Sequence, residues 1–517
     1  MDMNLLIIVI FIYLVGLFGF GRLGYKVSKT YSDIVSGSWN MGLWLLVGTF
    51  TATWVSAVSV MGFPGMLFGV GLVAISSVFG GYFFANTLMP ILAYKLRRPS
   101  IPPATIPEYV RLRFEPHVKK SGLQVIGGLG MTLGYLAYVS IQISAFGILL
   151  SSITGWPYTA CIFIFGVFVL YVAAGGTLSV SITDLFNSAI ITIGAIIGAA
   201  FILPEAGGWT GMWETFLAST EPGIIGGDPI PEGQLGSLLG PFSLSGVIGL
   251  FIAAAVGGSL APHWPSRMLY AKNVKTAIML PIVAQIVICF VVFVALLIIG
   301  VGGKAVVGSI DATDTDWIVP YVFMNYVPGL LGAIGIASLL AAAMSTANSM
   351  IFHGALAAIY DVFRTLKGES YPEETLRKWT RILVVVVGVV SILFAIDPPE
   401  FIGIMSAKVF GFWGATFFVP MYIGLYWKRL NRQGVYFAML AGPAIYLLFD
   451  YLIAEGMMWP VIPAIVWAVV IAVTGAVILS YVYPPSPKVG WQPFFEKEED
   501  DETKRVWNRV REDMVKK

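Results

Sequence analysis

Apolar residues run along this chain in blocks separated by short polar stretches, and about 13 of the blocks are long enough, at roughly 20 residues, to cross a bilayer as helices. The predicted spans cover residues 4–21, 42–70, 71–95, 122–152, 157–177, 183–204, 243–270, 276–301, 320–362, 380–396, 400–427, 433–453 and 460–484. The ninth is longer than one crossing requires, so part of it is expected along a surface or in a loop. Two blocks are interrupted: 42–70 by Gly62-Phe63-Pro64-Gly65, and 243–270 by Gly257-Gly258-Ser259-Leu260-Ala261-Pro262-His263-Trp264-Pro265. They lie five spans apart. Broken helices at matching places in two halves point to an inverted-repeat transporter with its binding site near the membrane midplane.

Composition places the chain in the same class. Hydrophobic residues make up 57% and charged residues 12%, the mean hydropathy is +0.83, and soluble domains carry about 25% charged residues. The 57 glycines and 15 tryptophans suit membrane helices and their interfaces. Lys and Arg fall in short clusters between spans, with no basic face of the kind that binds nucleic acid. Cys161 and Cys289 lie inside apolar runs, so no disulfide framework or thiolate metal site is expected. His117, His263 and His353 stand on different spans or loops, no HExxH or phosphate-loop motif occurs, and an enzyme is not expected.

The basic clusters fall on one side: Arg22, Lys26 and Lys29, Lys95 to Arg98, Arg111 to Lys120, Arg267 to Lys275, Arg364 to Arg381, and Lys428 to Arg432. Lys304 is the exception. The positive-inside rule then puts the N-terminus outside and the C-terminus in the cytoplasm of a multi-pass protein of the plasma (cell inner) membrane. The leading Met1-Asp2-Met3-Asn4 carries no positive charge, so the first span is expected as a retained helix and not a cleaved signal. Residues 205–241 are expected as an outer loop with a short helix near Trp209 to Leu217. Residues 1–484 are expected to form a single transmembrane domain and 485–517 a charged cytoplasmic tail.

Polar groups inside spans are costly and mark functional candidates. On the ninth span, positions 342, 345, 346, 349 and 353 share one helical face. Ser345 and Thr346 offer hydroxyl oxygens of the type that suits a small hard cation. Two plainer readings stand beside this: bonding back to the carbonyls of the preceding turn, and close helix packing through small residues. Lys408, in the middle of the eleventh span, needs a partner or a purpose, which include a substrate carboxylate, the place of a second cation, or snorkelling to an interface.

Six motifs, in order, resemble the sodium:solute symporter family: Ala52-Thr53-Trp54-Val55-Ser56 with Met61-Gly62-Phe63-Pro64-Gly65; Thr105-Ile106-Pro107-Glu108-Tyr109-Val110 with Arg113-Phe114; Gly175-Gly176 leading to Thr183-Asp184; Pro262-His263 with Arg267; Ala342 to Thr346; and Gly424-Leu425-Tyr426-Trp427-Lys428-Arg429. The resemblance implies an all-α leucine-transporter-type core of two inverted five-helix repeats, about 40–204 and 243–427, preceded by one helix and followed by two. It also implies a sodium ion between the first and eighth core helices, held by the carbonyls of Ala52, Val55 and Ala342 and the hydroxyls of Ser345 and Thr346. Pro64 itself frees the carbonyl of Val60, which is displaced from those ligands. Asp184 matches a family acid on the sodium exit path; its alternative reading is an acid near the N-cap of a helix beginning there. Trp54 stands where the proline-carrier branch has an aspartate. Ser59, Tyr138, Gln142, His263, Trp264 and Trp413, with Lys408, are candidate groups around the solute, and each is open to being ordinary packing.

The resulting expectation is a sodium-coupled symporter importing a small organic solute, a carboxylate or an amino acid, by alternating access. Sodium, the solute and the lipid bilayer are its partners, and no oligomer is required. The rivals are a proton-coupled or passive transporter and a solute-sensing membrane module of the same fold.

Overall fold

The computed structural model describes residues 3–28, 30–173, 176–312, 314–368, 371–397, 402–457 and 462–512; Met1, Asp2, Lys29 and Gly175 of the sequence reading lie outside them. Among the described residues every regular element is helical, with two isolated backbone bridges, Met41 to Ala271 and Ile224 to Ile310. Lipid supplies no hydrogen bonds, so a spanning backbone must satisfy itself, and a helix does so within one segment.

Helix α1 (Met3–Val27) buries Leu6, Tyr13, Leu17, Gly21 and Gly24 along one stripe and turns Ile7, Phe11, Ile12 and Val15 outward. Such an apolar outer face requires lipid. The first broken span is α2 (Leu43–Trp54) followed by α3 (Val58–Val70), bent by 54°. After α4 (Ile75–Leu96) comes the short α5 (Ile106–Phe114), whose first turn is capped by Thr105, which accepts from the Glu108 N–H. Then follow α6 (Gly122–Thr154), α7 (Tyr158–Ala173), α8 (Thr177–Glu205) and, in the long loop, α9 (Gly208–Ala218). The second broken span is α10 (Leu244–Leu260) and α11 (His263–Tyr270). Next are α12 (Val274–Val307), the non-spanning α13 (Ile318–Asn325), α14 (Gly329–Lys367), α15 (Glu373–Phe394) and α16 (Ile402–Tyr426). The chain closes with α17 (Arg432–Ala454), α18 (Ala464–Val482), α19 (Lys488–Phe495) and α20 (Asp501–Glu512). Side-chain caps start several of them: Ser121, Ser243, Asn273 and Asn431 each accept an N–H from the first turn that follows, satisfying a donor the helix itself cannot.

Ten described helices are long and apolar enough to span, or eleven with the bent pair counted as one. The two remaining expected spans fall on α7, which has 16 residues, and on α15, whose first turns carry Arg377, Lys378 and Arg381. The overlong ninth span is divided at Pro328 into the short, mostly buried α13 and α14, which alone runs for 39 residues.

Two local expectations are corrected. Helix α8 begins at Thr177, not at 183, so Asp184 lies two turns inside it and is no N-cap acid. The first break is also not made by proline. It lies at Val55, whose φ/ψ of −84°/70° leaves the helix, while Pro64 sits in α3 after a wide π turn over Val58–Gly62, where the Phe63 N–H reaches the Val58 carbonyl. Widening the turn accommodates the missing proline donor without a kink there. The second break does follow the proline rule: Ala261, before Pro262, is pushed to ψ 114°, since a residue preceding proline avoids the helical region.

Lys304, the basic residue on the otherwise bare side, is buried. Its ammonium donates to the carbonyls of Glu221 and Gly308, both at 2.7 Å, and lies 4.9 Å from the centre of the Phe68 ring. It anchors the long loop between α9 and α10 over the end of α3.

Candidate functional site

The break in the first span leaves carbonyls on the last turn of α2 without helical partners, and α14 presents its small polar face to them. Ser345 Oγ donates to the Ala52 carbonyl at 2.9 Å and to the Ala342 carbonyl at 3.0 Å, and Thr346 Oγ1 stands 3.5 Å from the same Ala52 oxygen. Ala52, Val55, Ala342, Ser345 and Thr346 are all fully buried. Ser345 therefore does bond back along its own helix, but it also bridges, with Thr346 beside it, to a second helix 293 residues away in sequence. Oxygens from two helices thus converge at the break, a donor set of the kind a hard monovalent cation takes.

Toward the basic side the same helices are pinned by one guanidinium. Arg267 of α11 donates through Nε to Thr49 Oγ1 (3.1 Å), through Nη1 to the His263 carbonyl (2.6 Å) and through Nη2 to Ser349 Oγ (2.8 Å), and pairs with Asp184 Oδ2 at 3.4 Å. Thr49 also donates to Asp184 Oδ2 at 2.6 Å. Asp184 and Arg267 are 0% and 2% exposed. The pair joins α2, α8, α11 and α14, so the expected ion-path acid is here closed over by its own cation.

On the other side of the break lies a box of rings. Phe410 of α16 is its hub, stacked on Trp264 at 5.5 Å and within 5.0–6.3 Å of Tyr82, Tyr138, Trp413 and His263. His263 lies 4.6 Å from Trp264 and 6.0 Å from Tyr135, and Trp54 meets Tyr82 edge-on. Gln142 accepts the Ala57 N–H at 3.2 Å, which ties α6 to the break, and Ser59 donates to the Trp54 carbonyl at 2.9 Å. Trp413 is held by a bond from Nε1 to the Gly130 carbonyl at 3.2 Å.

Tyr138, Gln142, His263, Trp264 and Trp413 are thus gathered in one region with Ser59 at its edge. Lys408 is not. It pairs with Asp450 of α17 at 3.8 Å on a half-exposed flank, about 140° around the helix from Trp413 and about 200° from Phe410. The sequence reading missed Arg267 as a partner of Asp184, and Thr49, Tyr82, Tyr135 and Phe410 altogether. Opposite charges at Asp184 and Arg267, both inside or against apolar blocks, were the available signal.

A model of the sodium:solute symporter family matches residues 35–442, most of the chain and all of this site. The chain belongs to the sodium:solute symporter family. Among similar proteins, the sodium/pantothenate symporter of Escherichia coli (strain K12) is 26% identical over 467 residues, 88% of this chain and 92% of that protein. The sodium/proline symporter of Staphylococcus aureus (strain bovine RF122 / ET3-1) is 25% identical over 457 residues, 86% and 85% of the two chains. A substrate-bound, outward-open Na+-coupled sialic acid symporter superposes with a TM-score of 0.76 at 17% identity, over 93% of this chain and 99% of that one. A nucleobase-cation-symport-1 family transporter superposes at 0.53 with 15% identity, over the same shares. At those identities the structures bear on the fold alone, which is the leucine-transporter type. This family member is a multi-pass membrane transporter with Na+ as its coupling ion.

Proposed function

We propose that this symporter imports a small organic acid or amino acid with sodium by alternating access, its basic clusters and C-terminus in the cytoplasm and its N-terminus outside. The sodium ion is held by the carbonyls of Ala52, Val55 and Ala342 and the hydroxyls of Ser345 and Thr346, and the solute lies in the aromatic box between the two broken spans. The observation that carries this reading is the convergence of Ser345 and Thr346 on the Ala52 carbonyl at the first break. The solutes named for the pantothenate and proline relatives both bear a carboxylate, which supports the solute class. Binding sodium draws the break and α14 together beside the box, so solute and ion favour the same state, and each tightens the other by the same factor. Release toward the cytoplasm then requires the Asp184–Arg267 pair to part, with Asp184 exchanging its guanidinium for the departing ion.

The test is uptake into proteoliposomes of a labelled panel of amino acids, organic acids and sugars, with and without an inward sodium gradient. The expected result is uptake of an acid or amino acid that needs sodium, and a Ser345→Ala, Thr346→Ala variant in which that requirement is lost together with accumulation. Uptake indifferent to sodium, or driven by a proton gradient in its absence, would overturn the reading.

A further inference from the structure

Helix α1 packs on α8 and α14 but stands off α6 and α7 at their ends away from the basic clusters, and the gap is a groove of about 390 Å³. It follows α1 from Met3 to Leu14, a length of about 16 Å at the helical rise of about 1.5 Å per residue. Thr154 and Trp156 are the only described lining residues with an O–H or N–H on the side chain, and both stand at its mouth. Thr154 is turned back to the Leu150 carbonyl at 2.7 Å, and Trp156 is half-exposed. At the other end are Leu340 and Met344 of α14, both buried. There the Tyr13 hydroxyl, beside Leu14, donates to Asn187 Oδ1 at 3.0 Å and lies 3.9 Å from Met344 Sδ, which ties α1 to α8 and α14 and closes the groove. Its floor, with Leu6, Ile153 and Phe165, is buried, while Ile7 and Phe11 on its rim are 58% and 65% exposed. The groove is therefore inside the protein yet continuous along one side with the apolar surface that faces lipid.

These walls admit only an apolar occupant, because a polar group carried past the mouth would find no partner and bear its full desolvation cost. Water is excluded for the same reason. An apolar cavity of about 150 Å³ already takes a benzene ring, so this one has room for a longer hydrocarbon. The hydrocarbon core of a bilayer is about 30 Å thick, and the groove is about half as long. Tryptophan marks the level of the headgroups, and Trp156 stands at one end; the other end abuts Met344, the residue before Ser345. The groove thus runs from the interface to the middle of the membrane, the reach of one acyl chain within one leaflet. Protein interiors are close-packed, and walls that face a gap lose their dispersion partners, so hydrocarbon drawn from the bilayer is favoured there.

We propose that the groove binds one acyl chain of a phospholipid, with its headgroup beside Trp156 and its chain end against Met344, and that this chain favours the state that binds sodium. Leu340 and Met344 lie on the face of α14 roughly opposite Ser345 and Thr346 at about 3.6 residues per turn. A chain packed on that face holds the turn against the Ala52 carbonyl, which Ser345 and Thr346 meet from the other side. By reciprocity sodium tightens the chain by the same factor. The lipid site stands on the groove alone, and its link to the ion rests on the proposed sodium site.

The experiment reconstitutes the full chain in nanodiscs with a phospholipid that carries a photoactivatable diazirine at the end of one acyl chain, and maps the adducts by mass spectrometry. Adducts are expected to concentrate on α14 around Leu340 and Met344 and on α1 around Leu14, and the wild-type map decides the site without any variant. Ile10→Trp places a ring in the groove and is expected to reduce these adducts at least about tenfold; Ile12→Trp, the same change on the exposed side of α1, is expected to leave them. Radiolabelled sodium binding is measured in parallel on protein stripped of lipid in detergent and then given the unlabelled phospholipid. Lipid should tighten sodium at least about fivefold, the low end for coupled sites, in wild type and Ile12→Trp but not in Ile10→Trp, whose retained sodium binding reports that it folds. Adducts spread evenly over the lipid-facing helices, or undiminished in Ile10→Trp, would overturn the lipid site. Adducts at Leu340 and Met344 with a sodium affinity indifferent to lipid would overturn the link to the ion. Those adducts without saturable sodium binding in any variant would instead defeat the proposed sodium site and leave the groove's occupant established.

Discussion

Asp184 and Arg267 show how much a single buried contact holds in this fold. Removing one partner of a buried ion pair leaves an uncompensated charge and costs about 3–5 kcal/mol, while replacing both by apolar groups of similar shape is often neutral. Asp184→Asn should therefore lower thermal stability in detergent markedly. Arg267→Lys should do the same, because one ammonium cannot reproduce a fork spread over Thr49, His263 and Ser349. A double variant, Asp184→Leu with Arg267→Met, should melt closer to wild type than Asp184→Asn does while transport is lost, and a double variant no more stable than the single would contradict the pairing. Ser345 and Thr346 were legible in the sequence because adjacent hydroxyls on an otherwise apolar face are conspicuous. The partners of Arg267 were not, since 83 residues separate it from Asp184 and only the packing of four helices brings them into contact. Lys408 misled for the opposite reason: its position in the span was plain, but the direction of its side chain depends on α17, which no local pattern reveals.

At the scale of elements, close approach of backbones sets the shape of the site. A Cβ on Gly257 would come 2.9 Å from Phe410 Cα and nearer still to its carbonyl, so Gly257→Ala must push α10 from α16 and displace the hub of the aromatic box. Overpacking of this kind costs about 1–3 kcal/mol, and the expected outcome is a raised KM for the solute with a modest fall in melting temperature. Gly65 has a like role against the turn before α13, where its Cβ would lie 2.8 Å from Asp316 Cα. The Asp316 carboxyl is held well above the usual carboxylate range, chiefly by burial and then by Asp314 beside it, with a bond from the Ile402 N–H working the other way. Its folded-state value exceeds the unfolded one, so the stabilisation is complete below about pH 3.9 and is lost as pH rises through the raised value. Melting temperature should fall with rising pH more steeply for wild type than for Asp316→Asn, and equal slopes would contradict this. The second break was readable from Pro262; the first was expected at Gly62 and Pro64 and lies instead at Val55, which carries no sequence signature of a bend, while the π turn absorbs Pro64.

Over the whole molecule, the C-terminal segment is more than a charged tail. Helices α19 and α20 fold back on the ends of α4 and α5: Lys95 Nζ donates to the Phe494 carbonyl at 2.8 Å, Arg98 to the same oxygen at 3.2 Å, and Trp507, fully buried, donates to the Val489 carbonyl at 3.1 Å. Trp507→Ala should cost this substructure about 3–5 kcal/mol, read as faster amide exchange in α19 and α20 with the spans unchanged. Energetically, one charge crossing about 100 mV is worth about 2.3 kcal/mol, enough for roughly fortyfold accumulation of an uncharged solute at about 1.4 kcal/mol per tenfold. One sodium with one monoanion moves no net charge, whereas one sodium with a zwitterion moves one, so an inside-negative potential at a fixed sodium gradient is expected to drive accumulation of an amino acid and not of a monoanionic acid. The central claim is that the first break and α14 together hold the coupling ion, and radiolabelled sodium binding to the purified protein tests it most directly. Wild type should bind sodium saturably and the Ser345→Ala, Thr346→Ala variant at least tenfold more weakly, whereas equal binding by the two would contradict the account.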